Sequence, residues 1–568
     1  MKKPATSPHA AVADIVSEPL VFPNGAGVKI AAYWDHRTDG HEGCPFVIMA
    51  PKFGETKKNN LELAYFFAAN GLNVIRFDHS CHVGESGGVR TGFTLLTSLD
   101  DILSTIDMVV RRFRVDSVAL TASSLSARSA IRAAALDQRV SLLTCLVGVV
   151  NIQATFREVF REDVIAQYIE GRRWHATDNV LGCESDLDAF FGSAHESDLH
   201  DLSGTAVDLA RIACPSVFFV AENDAWVDPR EVRAVVARSP RARICEMSGA
   251  KHEVRENQAV AERTFSEVVS VVLREVWGVE HVPAELRRAD HRRLFAQNRV
   301  ERERLRKAVQ LEKTESEFWN DYLGKYAMLE NVTDYRDYLD LVGELIGPIQ
   351  SNETILDAGC GNGLLGAWLL RRLRQSAGFP VPATYVGLDL TQRGLGDAMH
   401  RHAEIIADGF RLAGPRLGAA MQVLYARADF DSLGRDEAPQ MPRFATGMFD
   451  GACCSLVLSY LRDPMFLLRE FRRMVRPGGR IVISSMKPHC DISVIYRDFV
   501  ESQTAELQVQ SARVLLGGVG EIKIKEDQGH YLFYSGAELS RMLEDAGFKA
   551  PQVYASFGDQ AVVVRALA

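Results

Sequence analysis

Short apolar runs recur through the first half of the chain, and each is bounded by Gly, Pro, Asp or Asn. They lie at residues 45–50, 73–77, 117–121, 143–149 and 216–220. Segments with helical periodicity, such as 61–69 and 125–135, separate the runs. Buried parallel strands are continuously apolar rather than alternating. The pattern therefore predicts an α/β domain with a mostly parallel sheet over residues 15–278.

Two segments depart from this alternation. Residues 152–210 form a longer, polar and largely helical insertion, which we expect to be a lid over a pocket. Residues 279–316 interleave arginines with glutamates and have few apolar positions, which predicts a charged helical linker. A second α/β alternation begins near residue 354. Since 568 residues exceed the size of one growing core, we expect a second domain at 317–568.

Composition narrows the class of protein. The chain is 47% hydrophobic and 24% charged with a net charge of −9, which argues against a nucleic-acid partner. No apolar run approaches the roughly 18 residues of a membrane span. Ten cysteines show no disulfide or zinc spacing, and His79 and His82 lack a third metal ligand, so we expect no metal. These features predict a reduced cytoplasmic protein, and they leave its oligomeric state open.

A strand, a tight turn and a helix surround Ser124. The strand SVALT leads into Ala122-Ser123-Ser124-Leu125-Ser126, and a helical run follows. A nucleophile elbow places its serine at such a turn, usually within G-x-S-x-G. Here Ala122 and Ser126 stand at the glycine positions. Both are small, as the crowded turn requires.

Two further residues complete a serine-hydrolase set. Asp224 follows a strand and His252 follows the next apolar segment, so the order is Ser, Asp, His. His252 would take the Ser124 proton, and Asp224 would orient the imidazole. We expect the backbone amides of Phe53 and Leu125 to form the oxyanion hole.

Four segments of this half resemble one family. They are ASSLSAR at 122–128, VGVVN at 147–151, NDAWV at 223–227 and FDHSCHVG at 77–84. They are similar to the acyl transferases (myristoyl-ACP thioesterases) of bacterial luminescence operons. The resemblance implies an α/β-hydrolase fold with Ser124 as nucleophile. It also implies an acyl substrate, either bound to acyl-carrier protein or a small molecule.

A glycine-rich loop opens the second domain. The strand at 354–356 runs into DAGCGNG at 357–363, where glycines let a nucleoside approach the backbone. Residues 361–366 also match the G-x-G-x-x-G dinucleotide pattern. However, successive strands end in acidic residues, which favours a methyl donor over a dinucleotide. These carboxylates could bind the ammonium group, the ribose hydroxyls and the adenine amino group of such a donor. The expected cofactor-binding residues are Asp357, Gly359, Gly361, Gly363, Asp389, Leu390, Asp429, Phe430 and Ser455.

The later motifs strengthen this interpretation. VRPGG at 475–479 precedes a fifth strand, and apolar runs at 553–557 and 561–565 predict a terminal hairpin. The series resembles Rossmann-like class I methyltransferases, which implies S-adenosylmethionine as the cofactor. Related enzymes often have a histidine after the fourth strand, whereas this chain has Ser459-Tyr460. The missing base favours a carboxylate acceptor, which arrives already ionised.

Together these patterns predict a bifunctional tailoring enzyme. Its first domain would hydrolyse or transfer an acyl (fatty acid or polyketide-like) thioester or ester. Its second would methylate the product, with the product carboxylate as one candidate acceptor. Two alternatives remain at this point. In one, the two activities serve unconnected substrates. In the other, the hydrolase-like domain is a non-catalytic docking module for a small-molecule O-, N- or C-methyltransferase.

Overall fold

A computed structural model describes residues 14–279, 282, 285–308, 313–375, 383–413, 421–435, 438, 441–502 and 506–568. The chain divides into two compact units. One comprises Met1–Gln310 with Leu516–His530, and the other comprises Leu311–Leu515 with Tyr531–Ala568. Parts of the predicted linker, residues 280–281, 283–284 and 309–312, lie outside the described residues.

The first unit alternates strands and helices as predicted. Its strands are β1 (Ile15–Pro23), β2 (Lys29–Arg37), β3 (Phe46–Ala50), β4 (Asn73–Phe77), β5 (Val118–Ser123), β6 (Val140–Leu146), β7 (Thr177–Val180), β8 (Cys183–Asp186), β9 (Ser216–Ala221) and β10 (Ala242–Met247). Its helices are α1 (Leu61–Ala69), α2 (Leu95–Phe113), α3 (Ser126–Leu136), α4 (Ile152–Phe160), α5 (Val164–Ile169), α6 (Leu187–Glu196), α7 (Leu202–Arg211), α8 (Pro229–Val236), α9 (Gln258–Trp277) and α10 (His291–Ala308).

The main sheet of this unit has the strand order β1-β2-β4-β3-β5-β6-β9-β10. β3 pairs in parallel with β4 and β5, and β6 with β5 and β9, whereas β1 and β2 are antiparallel. The central strands β3 and β4 are buried at every residue; β3 is apolar throughout, whereas β4 also contains Asn73 and the ion-paired Arg76. The predicted α/β-hydrolase architecture with a mostly parallel sheet is confirmed.

The insertion between β6 and β9 contains α4 to α7, and it also contains an antiparallel hairpin of β7 and β8. Its hairpin turn lies against residues from far along the sequence. A Cβ added to Gly520 would stand 2.3 Å from the carbonyl carbon of Leu181. The side-chain amide nitrogen of Asn59, Nδ2, also donates to Asp527 Oδ1 at 2.7 Å. The first unit therefore includes a segment that the sequence pattern assigned to the second.

Helix α10 lies in the predicted charged linker, and two of its residues are buried in the first unit. Glu301 and Leu305 are buried. The Glu301 carboxylate accepts from Arg76 Nη1 and Nη2, each at 2.6 Å, and Arg76 also binds Asp35 at 2.6 Å. All three charged side chains are essentially inaccessible to solvent. A charged pattern therefore does not make every charged residue of α10 exposed, because Glu301 shares a buried arginine of the sheet with Asp35.

The second unit has its own sheet. Its strands are β11 (Thr354–Ala358), β12 (Ala383–Asp389), β13 (Met421–Arg427), β14 (Phe449–Cys454), β15 (Val475–Met486), β16 (Lys549–Ser556) and β17 (Ala561–Leu567). The helices after α10 are α11 (Glu315–Tyr326), α12 (Thr333–Ile346), α13 (Leu364–Gln375), α14 (Gln392–Ala413), α15 (Pro464–Met474), α16 (Ser493–Ser502), α17 (Glu506–Asp527) and α18 (Gly536–Asp545). Helix α17 continues into the first unit from Leu516 onward.

The strand order here is β13-β12-β11-β14-β15-β17-β16. β17 is antiparallel to both neighbours, which gives the predicted terminal hairpin, and β11 to β15 are parallel. The order reverses beside β11, and ligands of open α/β sheets bind at such a switch point. Within the described residues, no helix has both the length and the apolar character needed to cross a membrane.

Candidate functional site

Ser124 occupies the turn between β5 and α3 in a strained conformation. Its φ is +52°, the left-handed region that non-glycine residues seldom adopt. Its amide donates to the Leu146 carbonyl at 3.0 Å, and its carbonyl accepts from the Val149 amide at 3.0 Å. Such strain, of order 1–3 kcal/mol, persists only where neighbouring structure holds it in place. The turn therefore has the geometry of a nucleophile elbow.

The structure brings the three predicted triad residues together. Ser124 Oγ lies 2.9 Å from His252 Nε2. His252 Nδ1 lies 2.9 Å from both carboxylate oxygens of Asp224. Asp224 Oδ1 also accepts from the amides of Trp226 and Val227, at 2.9 and 3.0 Å. The carboxylate is thus fixed before it orients the imidazole, as a Ser-His-Asp mechanism requires.

The two predicted oxyanion-hole residues flank this site. Leu125 directly follows Ser124, and Phe53 lies on the loop after β3. In the part of the chain that the structure describes, neither amide donates to a protein acceptor. Next to Phe53, Lys52 Nζ donates to the carbonyl of His252 at 3.0 Å, so this loop also holds the histidine loop.

Sequence reasoning missed the roles of three polar side chains near this loop, those of His79, His82 and Ser126. His79 Nε2 lies 2.9 Å from Ser126 Oγ, and His82 Nε2 accepts from the Gly54 amide at 2.7 Å. The described residues contain no cluster of three or more potential metal ligands. The signal for Ser126 was its polarity at a position that usually holds glycine.

In the second unit, the glycine loop has three left-handed glycines. Gly359, Gly361 and Gly363 have φ values of +84°, +51° and +80°. A Cβ on Gly359 would stand 2.2 Å from Val457, and one on Gly363 would stand 2.7 Å from His402. Glycine is needed at 359 and 363 because of packing as well as backbone conformation. The loop is a tight turn at the carboxyl end of β11.

Asp357, the penultimate residue of β11, is buried, and one of its carboxylate oxygens has no partner among the described residues. Its Oδ2 accepts from the Tyr385 hydroxyl at 2.7 Å. Its Oδ1 has no hydrogen-bond partner among the described residues. Burial raises the pKa of Asp357 to about 7; the Tyr385 hydrogen bond lowers it and the charge of Asp389 raises it. A buried, unpaired carboxylate oxygen is suited to bind a cation such as the ammonium of S-adenosylmethionine.

Asp389 lies at the carboxyl end of the neighbouring strand β12. Its Oδ2 accepts from the Gly361 amide, and its Oδ1 accepts from the Thr391 amide, both at 2.8 Å. This carboxylate therefore ties the glycine loop to β12. Oδ1 also accepts from the Thr391 hydroxyl at 2.7 Å, so Oδ2 is the oxygen that keeps acceptor capacity for a ribose hydroxyl. The next residue, Leu390, accepts from Arg427 Nε through its carbonyl at 3.0 Å.

The remaining predicted cofactor residues follow β13 and β14. Asp429 accepts from the Asp431 amide and from the Ser432 hydroxyl, each at 3.0 Å. Phe430 is buried. Ser455 hydrogen-bonds the hydroxyl of Tyr338, a contact that the sequence did not indicate. Four of the sheet's strand ends thus carry the predicted cofactor residues.

Aromatic side chains of α11 and α12, the helices before the donor loop, form one cluster with Tyr460 and Tyr531. Trp319 lies 4.6 Å from Tyr460 between ring centroids, and Tyr460 lies 4.8 Å from Tyr531. The hydroxyls of Tyr326 and Tyr335 are 2.9 Å apart. Burial raises the pKa of Tyr326 to about 12, so its phenol stays protonated. The cluster is apolar in body, with neutral hydroxyls.

Comparison with known proteins separates the two halves. Residues 38–306 match the family model described as "Acyl transferase", and residues 328–553 match that described as "Methyltransferase domain". Each half is similar to a different enzyme family. The predicted resemblances are confirmed, and the chain joins an acyl-transferase-like domain to a methyltransferase domain.

Individual relatives cover the first half. An acyl transferase of Photorhabdus luminescens is 29% identical over 231 residues, which are 40% of this chain and 73% of that protein. An acyl transferase of Photobacterium phosphoreum is 28% identical over 229 residues, covering 40% and 74% respectively.

Solved structures align with a similar part of the chain. A monoacylglycerol lipase of Paleococcus ferrophilus is 17% identical with a TM-score of 0.36, covering 44% of this chain and 99% of its own. An esterase of Pyrococcus furiosus is 15% identical with a TM-score of 0.34, covering 46% and 93%. These scores are low, and the fold assignment above rests on strand order.

Proposed function

We propose that this chain is a bifunctional enzyme that processes an acyl chain. Ser124 would cleave or transfer a fatty acyl or polyketide-like thioester or ester, and the methyltransferase domain would methylate the product. The continuous hydrogen-bonded line from Ser124 through His252 to Asp224 carries the proposal. The similarity of the first half to acyl transferases supports an acyl substrate.

The first reaction follows from the triad geometry. Ser124 Oγ attacks the acyl carbonyl while His252 Nε2 takes its proton, and Asp224 stabilises the imidazolium. The Phe53 and Leu125 amides donate hydrogen bonds to the carbonyl oxygen as negative charge develops on it. His252 then returns the proton to the departing thiol or alcohol, which leaves an acyl ester on Ser124. Water or an acceptor hydroxyl releases the acyl group by the reverse sequence.

The second reaction uses S-adenosylmethionine, which supplies an electrophilic methyl group when bound. Asp357 Oδ1 would bind its ammonium, because that oxygen is buried and unpaired in the described structure. Asp389 would accept from the ribose hydroxyls and Asp429 from the adenine amino group. Methyl transfer is a direct displacement, so the chain contributes mainly by holding donor and acceptor in line.

We propose a carboxylate as the methyl acceptor. Ser459 and Tyr460 follow β14, where a base would be useful, and burial raises the pKa of Tyr460. A carboxylate is already ionised at neutral pH and needs no base. The acid released at Ser124 is such an acceptor, which would link the two reactions through one product.

Intact-mass spectrometry tests the first step directly. The full chain and Ser124→Ala are each incubated with a panel of acyl thioesters, both on acyl-carrier protein and on a small thiol. We expect an acyl adduct on the parent and none on the variant. If no thioester is consumed and neither protein gains mass, the acyl-transfer proposal is wrong and the first domain is better described as a docking module.

A second measurement tests the link. The released acid is supplied with S-adenosylmethionine to Ser124→Ala, whose methyltransferase half is unchanged. Formation of the methyl ester supports a shared product. If the parent consumes the thioester rapidly but the released acid is not methylated, the two domains act on different substrates.

A further inference from the structure

The loop carrying the predicted oxyanion amide lies beside the nucleophile turn. β3 and β5 are neighbouring parallel strands, with Ala50 opposite Ala122, so the chain leaving β3 runs along the turn that holds Ser124. Donors of an oxyanion hole are effective only when they are oriented before the reaction. The contacts on either side of Phe53 therefore decide whether its amide can act.

One anchor holds the loop on the amino-terminal side of Phe53. Ser126 Oγ donates to the Pro51 carbonyl at 2.5 Å. A serine hydroxyl has a single proton, so the same oxygen accepts from His79 Nε2 at 2.9 Å. Both side chains are fully buried. Glycine, the usual residue at position 126 of such an elbow, could not form this bond.

A second anchor holds the loop on the carboxyl-terminal side. His82 Nε2 accepts from the Gly54 amide at 2.7 Å. The His82 ring packs on the Phe53 ring, with centroids 4.5 Å apart. Burial, with a smaller contribution from His79, lowers the pKa of His82 to about 3. The imidazole is therefore neutral at physiological pH, and its Nε2 can act as an acceptor.

We propose that Ser126 with His79, and His82 separately, are positioning residues that orient the Phe53 amide toward the substrate oxyanion. They fix the Pro51 carbonyl and the Gly54 amide, the backbone groups on the two sides of Phe53. This inference rests on the proposed function of Ser124. It also explains why the elbow has serine where glycine is usual: the hydroxyl binds the oxyanion loop.

The test measures how fast a fluorophosphonate labels the full chain. In labelling, Ser124 Oγ forms a bond to phosphorus, fluoride leaves and His252 takes the hydroxyl proton, while the phosphoryl oxygen occupies the oxyanion hole. The variants are Ser126→Ala, Ser126→Gly, His82→Leu and His82→Gln. Ser129→Ala is the matched control, because Ser129 is also buried on α3 and donates to a backbone carbonyl, that of Leu95, at 2.9 Å.

We expect the maximal labelling rate of Ser126→Ala, Ser126→Gly and His82→Leu to fall about 10- to 100-fold, because a misdirected donor loses most of its effect. The half-saturating probe concentration should change little. His82→Gln should retain most of the rate, since its amide oxygen can accept from Gly54, and Ser129→Ala should match the parent.

Two results would overturn this inference and leave the proposed function of Ser124 unaffected. One is equal rates for Ser126→Ala, His82→Leu and the parent. The other is a loss in Ser129→Ala as large as that in Ser126→Ala, which would indicate general destabilisation. A parent that labels no faster than Ser124→Ala would instead overturn the proposed function, and this inference with it.

Discussion

Replacing Asp357 with Asn should make the protein more stable and its cofactor site weaker. Burial raises the pKa of this carboxyl from an ordinary value of 3.8 to about 7. A folded-state pKa above the unfolded one adds stability that is complete below about pH 4 and disappears as pH rises through about 7. The difference of about 3 pH units corresponds to about 4 kcal/mol, an upper limit for what the charge costs at pH 8.

Asparagine carries no charge and can still accept from Tyr385, so Asp357→Asn avoids that cost. We expect the variant and parent to unfold at similar urea concentrations near pH 4. At pH 8 the variant should be more stable by about 2–4 kcal/mol. Urea denaturation of the full chain at both pH values, followed by fluorescence, measures this difference.

Cofactor affinity should change in the opposite direction. S-adenosylhomocysteine, which retains the ammonium, can be titrated calorimetrically from pH 5.5 to 8. Parent affinity should fall about tenfold per pH unit below 7, because binding then requires Asp357 to lose its proton. Asp357→Asn should bind at least about 100-fold more weakly at pH 7.5 and show little pH dependence, since a buried charge has lost its partner.

Tyr385→Phe is the informative companion variant. It removes the hydroxyl that donates to Asp357 Oδ2. Because this hydrogen bond lowers the pKa of Asp357, its loss should move the midpoint of the pH dependence of binding to higher pH. A parent affinity that is constant from pH 5.5 to 7, or Asp357→Asn that binds as tightly as the parent, would refute the assignment of Asp357 to the ammonium.

Three further outcomes are expected. Gly363→Ala should lower stability by about 1–3 kcal/mol, because its φ is +80° and the new Cβ would meet a buried imidazole; unchanged thermal unfolding would contradict this. Arg76→Met should lower the free energy of unfolding by about 3–5 kcal/mol at pH 8, because Asp35 and Glu301 lose their cation. The loss should be smaller at pH 5, where carboxyls can protonate, and urea denaturation at both pH values measures it. A chain ending at residue 310 lacks Leu516–His530, including Asp527 and its contacts. In calorimetry it should unfold at a lower temperature than the first transition of the full chain. Equal temperatures would show that Leu516–His530 contributes nothing to the stability of the first unit.

Local patterns determined much of the architecture. The apolar runs at 73–77 and 216–220 correspond to β4 and to all but the last residue of β9, because a strand buried on both faces is mostly apolar. The run at 143–149 placed β6 three residues late, since Val140 and Leu142 are also in the strand and the chain turns at Val147, where φ is +44°. Boundaries depend on hydrogen bonds to neighbouring strands, which residue types do not reveal.

The sequence also predicted that Ser124, Asp224 and His252 form a triad, and the structure brings these three side chains into contact. It could not show that Ser126 binds the Pro51 carbonyl across 75 positions. That contact exists only because β3 and β5 are adjacent in the sheet.

Tertiary structure alone decided which charges are buried and which segments belong together. Glu301 resembles its exposed neighbours in the sequence, yet it neutralises Arg76 from 225 positions away. Leu516–His530 joins the first unit although all of its sequence neighbours belong to the second. Periodicity along the chain specifies strands and helices, because their hydrogen bonds and faces repeat locally. Pairing between distant residues depends on the packing of whole elements, which no local pattern contains.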